Sequence, residues 1–176
     1  NNRITYLDRN GQPVLCSSGY AINEYKRDEE GNVTGEFYLD TQGNPTKSSL
    51  GEYGQLYERD ENGRINQITY LDSGGNAETN STGYTILKRT YYRDGNIDTD
   101  MYFDKAGNPV TLSKGQYGIK YSGKTTLLMD KNGNVMLCVD NILNGFPFMV
   151  VVFGCVLCFV MLVLPKGWSI LLTGAY

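Results

Sequence analysis

Extended chain with alternating apolar and polar positions dominates the sequence as far as Asp140. In Val33-Thr34-Gly35-Glu36-Phe37-Tyr38-Leu39, positions 33, 37 and 39 place apolar side chains on one side of a strand. The pattern returns in Ile65-Asn66-Gln67-Ile68-Thr69-Tyr70-Leu71 and in Ile97-Asp98-Thr99-Asp100-Met101-Tyr102-Phe103. Tyr38, Tyr70 and Tyr102 fall on the opposite face. β-Branched and aromatic residues are frequent and no helical period competes, so each segment predicts a strand. The apolar side is thin, with Gln67 and Thr69 interrupting it.

Between these segments stand seven copies of Asp-x-x-Gly. They pair Asp8 with Gly11, Asp28 with Gly31, Asp40 with Gly43, Asp60 with Gly63, Asp72 with Gly75, Asp104 with Gly107 and Asp130 with Gly133. An aspartate accepts a backbone N–H two residues on and starts a turn, and a glycine takes the positive φ that reverses the chain. Each copy therefore predicts a tight turn closing a hairpin. Where another copy is due, Tyr92-Arg93-Asp94-Gly95 stands, with the glycine in step and the aspartate moved. A calcium loop would need acidic residues at alternating positions, which these turns lack. Neither a metal site nor a cofactor is expected.

Strands and turns recur with period 32: Tyr6, Tyr38, Tyr70 and Tyr102 hold one position, and Gly19, Gly51, Gly83 and Gly115 another. The turn spacing within a unit alternates 20 and 12. Fixed-period self-similarity predicts one small unit copied in a row, each copy buried by its neighbours. Gly19-Tyr20-Ala21-Ile22 matches Gly83-Tyr84-Thr85-Ile86, while Gly51-Glu52-Tyr53-Gly54 matches Gly115-Gln116-Tyr117-Gly118. A super-period of two units follows, with large Ile22 and Ile86 alternating with Gly54 and Gly118. Pro13, Pro45 and Pro109 recur two residues after a turn glycine, marking strand starts or edges. The expected fold for residues 1–138 is an all-β repeat array of stacked β-hairpins, as a solenoid or as a twisted meander.

The pattern then changes. Phe146–Leu164 is 19 residues without a charge, enough for a transmembrane helix of roughly 28 Å. Residues 139–145 read as a juxtamembrane linker, and 165–176 as a short loop leading into a second apolar stretch at Trp168. Lys166 follows the helix, and the positive-inside tendency puts it in the cytoplasm and the repeats outside the cell. The bilayer is thus an expected partner through Phe146–Leu164. The chain reads as a piece of a longer protein.

Charge and composition narrow the function. The formal net charge is −3, and because Lys166 is the only charge after Asp140, the repeats carry −4. An acidic array lacks the basic footprint of a nucleic-acid surface. Histidine, the commonest general base and metal ligand, is absent from the sequence. Cys155 and Cys158 lie inside the apolar run and read as small packing residues, while Cys16 and Cys138 have the arithmetic of a disulfide. The aspartates have turn-making explanations, so no catalytic residue is assigned and the chain reads as a non-enzyme. The tyrosine ladder of Tyr6, Tyr38, Tyr70 and Tyr102 has two readings: cross-strand packing, or a stacking surface for sugars.

Two resemblances add to this. Tyr57-Glu58-Arg59-Asp60-Glu61-Asn62-Gly63-Arg64-Ile65 is similar to the YD-type motif of Rhs repeats and to clostridial toxin and cell-wall-binding repeats. Repeated Tyr38-Leu39-Asp40-x-x-Gly43-Asn44-Pro45, followed by Asp140-Asn141-Ile142-Leu143-Asn144-Gly145-Phe146-Pro147 and an apolar helix, resembles the repeat extensions of VanZ-like membrane proteins of Gram-positive bacteria. That resemblance implies a membrane location and no catalytic residue. The expected function is a non-catalytic extracellular repeat module anchored to the bacterial membrane, contacting cell-envelope glycan or acting as a spacer. The alternative is a regulatory or sensing extension of a VanZ-like integral membrane protein linked to teicoplanin resistance.

Overall fold

The computed structural model describes residues 2–140. They form one antiparallel sheet of ten strands in strict sequence order, a meander. The strands are β1 (Arg3–Thr5), β2 (Ile22–Arg27), β3 (Val33–Leu39), β4 (Gly54–Arg59), β5 (Ile65–Leu71), β6 (Ile86–Tyr91), β7 (Ile97–Phe103), β8 (Gly118–Ser122), β9 (Thr125–Met129) and β10 (Val135–Asp140). Of the two expected architectures the meander is the one found. The expected transmembrane helix Phe146–Leu164 and the second apolar stretch lie outside the described residues. Among the described residues no helix is long and apolar enough to cross a membrane.

Two kinds of connection alternate along the sheet. Short turns join β2 to β3, β4 to β5 and β6 to β7. Long legs, 40–53, 72–85 and 104–117, join β3 to β4, β5 to β6 and β7 to β8. The repeat turns share one geometry. In the first, the Gly11 N–H donates to the Asp8 carbonyl at 3.0 Å and the Asp8 N–H to the Gln12 carbonyl at 2.8 Å. With Gly11 at φ 79° this is a type I turn closed by a glycine bulge. The Asp8 carboxylate adds bonds from the N–H groups of Asn10 and Gln12. Asp40, Asp72, Asp104 and Asp130 repeat the pattern, and Asp60 does so with Arg64 as an added partner. Asp28 holds the Asn32 N–H. In the departing copy Tyr92 provides the backbone and Asp94 the carboxylate.

Each long leg contains a second turn that the aspartates do not announce, and the segment between β1 and β2 contains another. Gly19, Gly51, Gly83 and Gly115 donate to the carbonyls of Cys16, Ser48, Asn80 and Leu112. All four glycines have positive φ, between 79° and 102°. Successive legs touch through their backbones: Ser49 N–H bonds the Ser18 carbonyl at 2.8 Å and Ser81 N–H the Leu50 carbonyl at 3.1 Å. Pro45, Ala77 and Pro109 each form a lone bridge to the last residue of the preceding strand, and Pro13 bridges Leu7 at the equivalent place.

The sheet register explains the two-unit super-period. Ile22, Gly54, Ile86 and Gly118 are each the first residue of an even-numbered strand, so they are equivalent. Their partners on the preceding odd strand alternate in the opposite sense: Thr5, Phe37, Thr69 and Met101. Large faces small at each of these odd-to-even pairings, whereas the partners on the following strand, Leu39, Leu71, Phe103 and Met129, are all large. A Cβ on Gly54 would lie 3.2 Å from the Phe37 Cα and closer still to the Glu36 carbonyl oxygen. On Gly118 it would lie 2.6 Å from the Asp100 carbonyl oxygen. Interiors packed this closely tolerate neither an extra methyl group nor a void.

Candidate functional site

The tyrosines proposed as a ladder do line one face, and that face is covered. Tyr38, Tyr70 and Tyr102 are buried, each 7 % exposed or less, while Tyr6 at the β1 edge is 38 % exposed. The long legs lie over them. Tyr84 of one leg and Val110 and Leu112 of the next pack with Tyr70, Tyr102 and Leu87 in the main apolar cluster. Tyr20 stacks on Tyr38 with ring centroids 4.5 Å apart and planes 11° from parallel. Tyr84 meets Tyr70 edge-on at 5.3 Å and Tyr102 at 4.7 Å. Such contacts contribute about 0.5–1.5 kcal/mol each beyond area burial. These rings are packing elements, and their faces are not open to a ligand. Burial pushes the Tyr20 phenol up to about 12 and raises Tyr38, Tyr70 and Tyr102 further.

The same face carries two carboxylates, one super-period apart. Glu36 accepts hydrogen bonds from Asn23 Nδ2 at 2.8 Å, from the Tyr38 hydroxyl at 3.1 Å and from the Tyr57 hydroxyl. Asp100, 3 % exposed, takes a two-pronged bond from Arg89 at 2.7 and 2.8 Å, plus the Tyr121 hydroxyl at 3.2 Å. Glu36 and Asp100 are equivalent positions, as are Tyr57 and Tyr121. The Asp100–Arg89 pair raises the Arg89 pKa, chiefly through its hydrogen bonds. Burial, reinforced by the Glu36 hydrogen bond, raises the Tyr57 pKa. Asp100 and its donors close on one another, whereas the Asn23 Oδ1 beside Glu36 is buried without a hydrogen-bond partner.

The turn aspartates are also committed. Asp8, Asp28, Asp40, Asp60, Asp72, Asp94, Asp104 and Asp130 all have lowered pKa values, held down by backbone and side-chain donors in their own turns. Cys16 is a free thiol. Among the described residues no three metal-ligating side chains gather.

An open site occurs where the repeat is broken. A shallow cleft of about 560 Å³ lies between the β6–β7 and β8–β9 turns. Tyr92, Asp94, Gly95, Asn96 and Ile97 line one side, and Tyr121 and Gly123 the other. Tyr92 is 36 % exposed and its hydroxyl donates to the Tyr121 carbonyl at 2.7 Å. Lys120 lies over the Tyr92 ring at 5.6 Å and pairs with Asp98 at 2.7 Å. That bond lowers the Asp98 pKa and raises that of Lys120, so both stay charged at neutral pH. The displaced Tyr92-Arg93-Asp94-Gly95 was the visible sign in the sequence. The second sign is a shortening: Asp130 follows Asp104 sooner than Asp104 follows Asp72. No family model matches the chain, and no curated protein matches it.

Proposed function

We propose that the chain is a non-catalytic extracellular repeat module, anchored to the bacterial membrane through Phe146–Leu164, whose array contacts cell-envelope glycan. The observation that carries this reading is how the array uses its polar groups. The turn carboxylates are held by their own backbones, and Glu36 and Asp100 are closed off by tyrosine, asparagine and arginine. Repeated chemistry thus goes into shape, and what remains for a partner is the outer surface, where Tyr6 and Tyr92 stand exposed among lysine, arginine and glutamate side chains.

A bare spacer fits less well. At the usual strand spacing ten paired strands cover about 43 Å, so one repeat unit adds only about 10 Å. The same residues as extended chain would reach on the order of 100 Å. A fold that spends so much chain per unit of reach is suited to presenting surface.

The test is retention of the purified chain on insoluble envelope glycans, peptidoglycan and chitin among them, in a detergent without a sugar headgroup. Binding that free oligosaccharide competes away is the expected result. Passage through every glycan matrix would remove the glycan contact and leave the array as scaffold.

A further inference from the structure

We infer that the cleft between Tyr92 and Tyr121 is a binding site for an uncharged, hydroxylated sugar ring, an inference that rests on the glycan reading above and locates its contact. Arg27, Arg59 and Tyr91 end β2, β4 and β6, and the equivalent residue after β8 is Gly123. In the two central copies this side chain reaches back across the sheet to the hairpin before it. Arg59 donates to the Val33 carbonyl at 2.9 Å, and the Tyr91 hydroxyl to the Ile65 carbonyl at 2.6 Å. The next residue in that series is Ile97. Gly123 has no side chain to reach it, and Ile97 and Gly123 both line the cleft.

The shortened β8–β9 connection builds this gap into the fold. Ser122 pairs with Thr125 across a two-residue turn, and Gly123 takes φ 59° in its first central position. A type II′ turn requires such a residue there. A Cβ at Gly123 would meet no atom within 4 Å, so the glycine answers the turn and leaves open space beside it.

What fits is indicated by what fills the equivalent places: a flat group with a donor at its end. Tyr92, Ile97 and Tyr121 line the gap and offer apolar surface to the C–H side of a sugar ring. Asp94 and Asn96 supply polar side chains at the rim. The volume is within the usual range of small-ligand sites, roughly 300–1,000 Å³. Charge selects among sugars. Asp94 is the one charged side chain lining the cleft, and the neighbouring Lys120 is held by Asp98, so the lining itself offers no unpaired cation. An acidic polysaccharide finds no cationic partner in the lining, and a neutral one, such as an N-acetylated amino-sugar polymer, is accepted.

The experiment titrates the 176-residue chain, in a sugar-free detergent, with chitohexaose, cellohexaose and an anionic polysaccharide. Binding is followed by calorimetry and by ligand-observed NMR. Two variants close the cleft differently. Tyr92→Asp removes an aromatic wall while restoring the turn residue that other copies use. Asn96→Arg puts into the gap the side chain that Arg64 lays over the Tyr91 ring in the preceding copy. A neutral oligosaccharide should bind the parent chain and lose at least tenfold in affinity in both variants, with unchanged circular dichroism. Tyr6→Ser, at the far edge, should bind as the parent does. Parent-like affinity in both variants, with retention on insoluble glycan intact, overturns the cleft and spares the glycan reading. Tighter binding of the anionic polymer overturns the ligand class, and no binding or retention of any glycan overturns both.

Discussion

Tyr121 of β8 donates its hydroxyl to Asp100 of β7, the carboxylate that Arg89 of β6 grips with two nitrogens. Three adjacent strands are thereby joined through one nearly buried side chain. Removing the carboxylate with Asp100→Ala strands a guanidinium that is only 23 % exposed. Loss of one partner of such a pair costs about 3–5 kcal/mol. Urea unfolding should show that loss, and a paired Asp100→Leu, Arg89→Met variant should recover most of it. A single variant within a few tenths of the parent would mean the pair is solvated in solution.

Gly54 and Gly118 give a steric prediction. Alanine at either position would drive a methyl group into the neighbouring strand's carbonyl oxygen. Overpacking of this kind costs about 1–3 kcal/mol. Gly54→Ala combined with Phe37→Ala would not restore the parent, because the collision is with backbone. Thermal unfolding of the three variants reads this directly.

The turn carboxylates set an acid limit. Their folded-state pKa values lie below the ordinary 3.8, so their contribution is complete above that value and is lost as pH falls through the lowered ones. The melting temperature should hold steady down to about pH 5 and fall below about pH 4. Replacing Asp40, Asp72 and Asp104 together with asparagine should lower the plateau and flatten the fall. A melting profile that drops equally steeply in the triple variant would assign acid sensitivity elsewhere.

The buried phenols set an alkaline limit of opposite sign. Tyr20, Tyr38, Tyr57, Tyr70 and Tyr102 are raised in the folded state. Their contribution is present below the unfolded value of 10.0 and lost as pH rises toward the folded ones, about 12 for Tyr20. Absorbance at the phenolate band should therefore rise in two stages. Exposed rings ionise first, and the stacked ones follow only with unfolding. A single smooth curve near pH 10 would contradict the packing.

The sequence carried the strands and the aspartate turns because both are local. Alternation at 33–39 and glycine at fixed offsets are visible without partners. The second row of turns was harder to read, because Cys16, Ser48, Asn80 and Leu112 share no chemistry and only the glycines that follow recur. Burial of the tyrosine ladder was not legible. It depends on long legs folding back over the sheet, and within each leg the sequence lacks an apolar–polar alternation that would announce a buried side. The displaced aspartate at 94 and the short interval before Asp130 were both visible. Their meeting in one cleft depends on strand register, which places Gly123 in line with Arg59 and Tyr91.

Alternating size across the sheet makes this array count in pairs. Excising residues 40–71 would set β3 beside β6 and bring Phe37 against Ile86, two large residues where one was small. Excising 40–103 would instead bring Phe37 against Gly118, a seam of the kind already present. Length in such an array should therefore change cleanly by two units and poorly by one, which thermal unfolding of the two deletion variants would show.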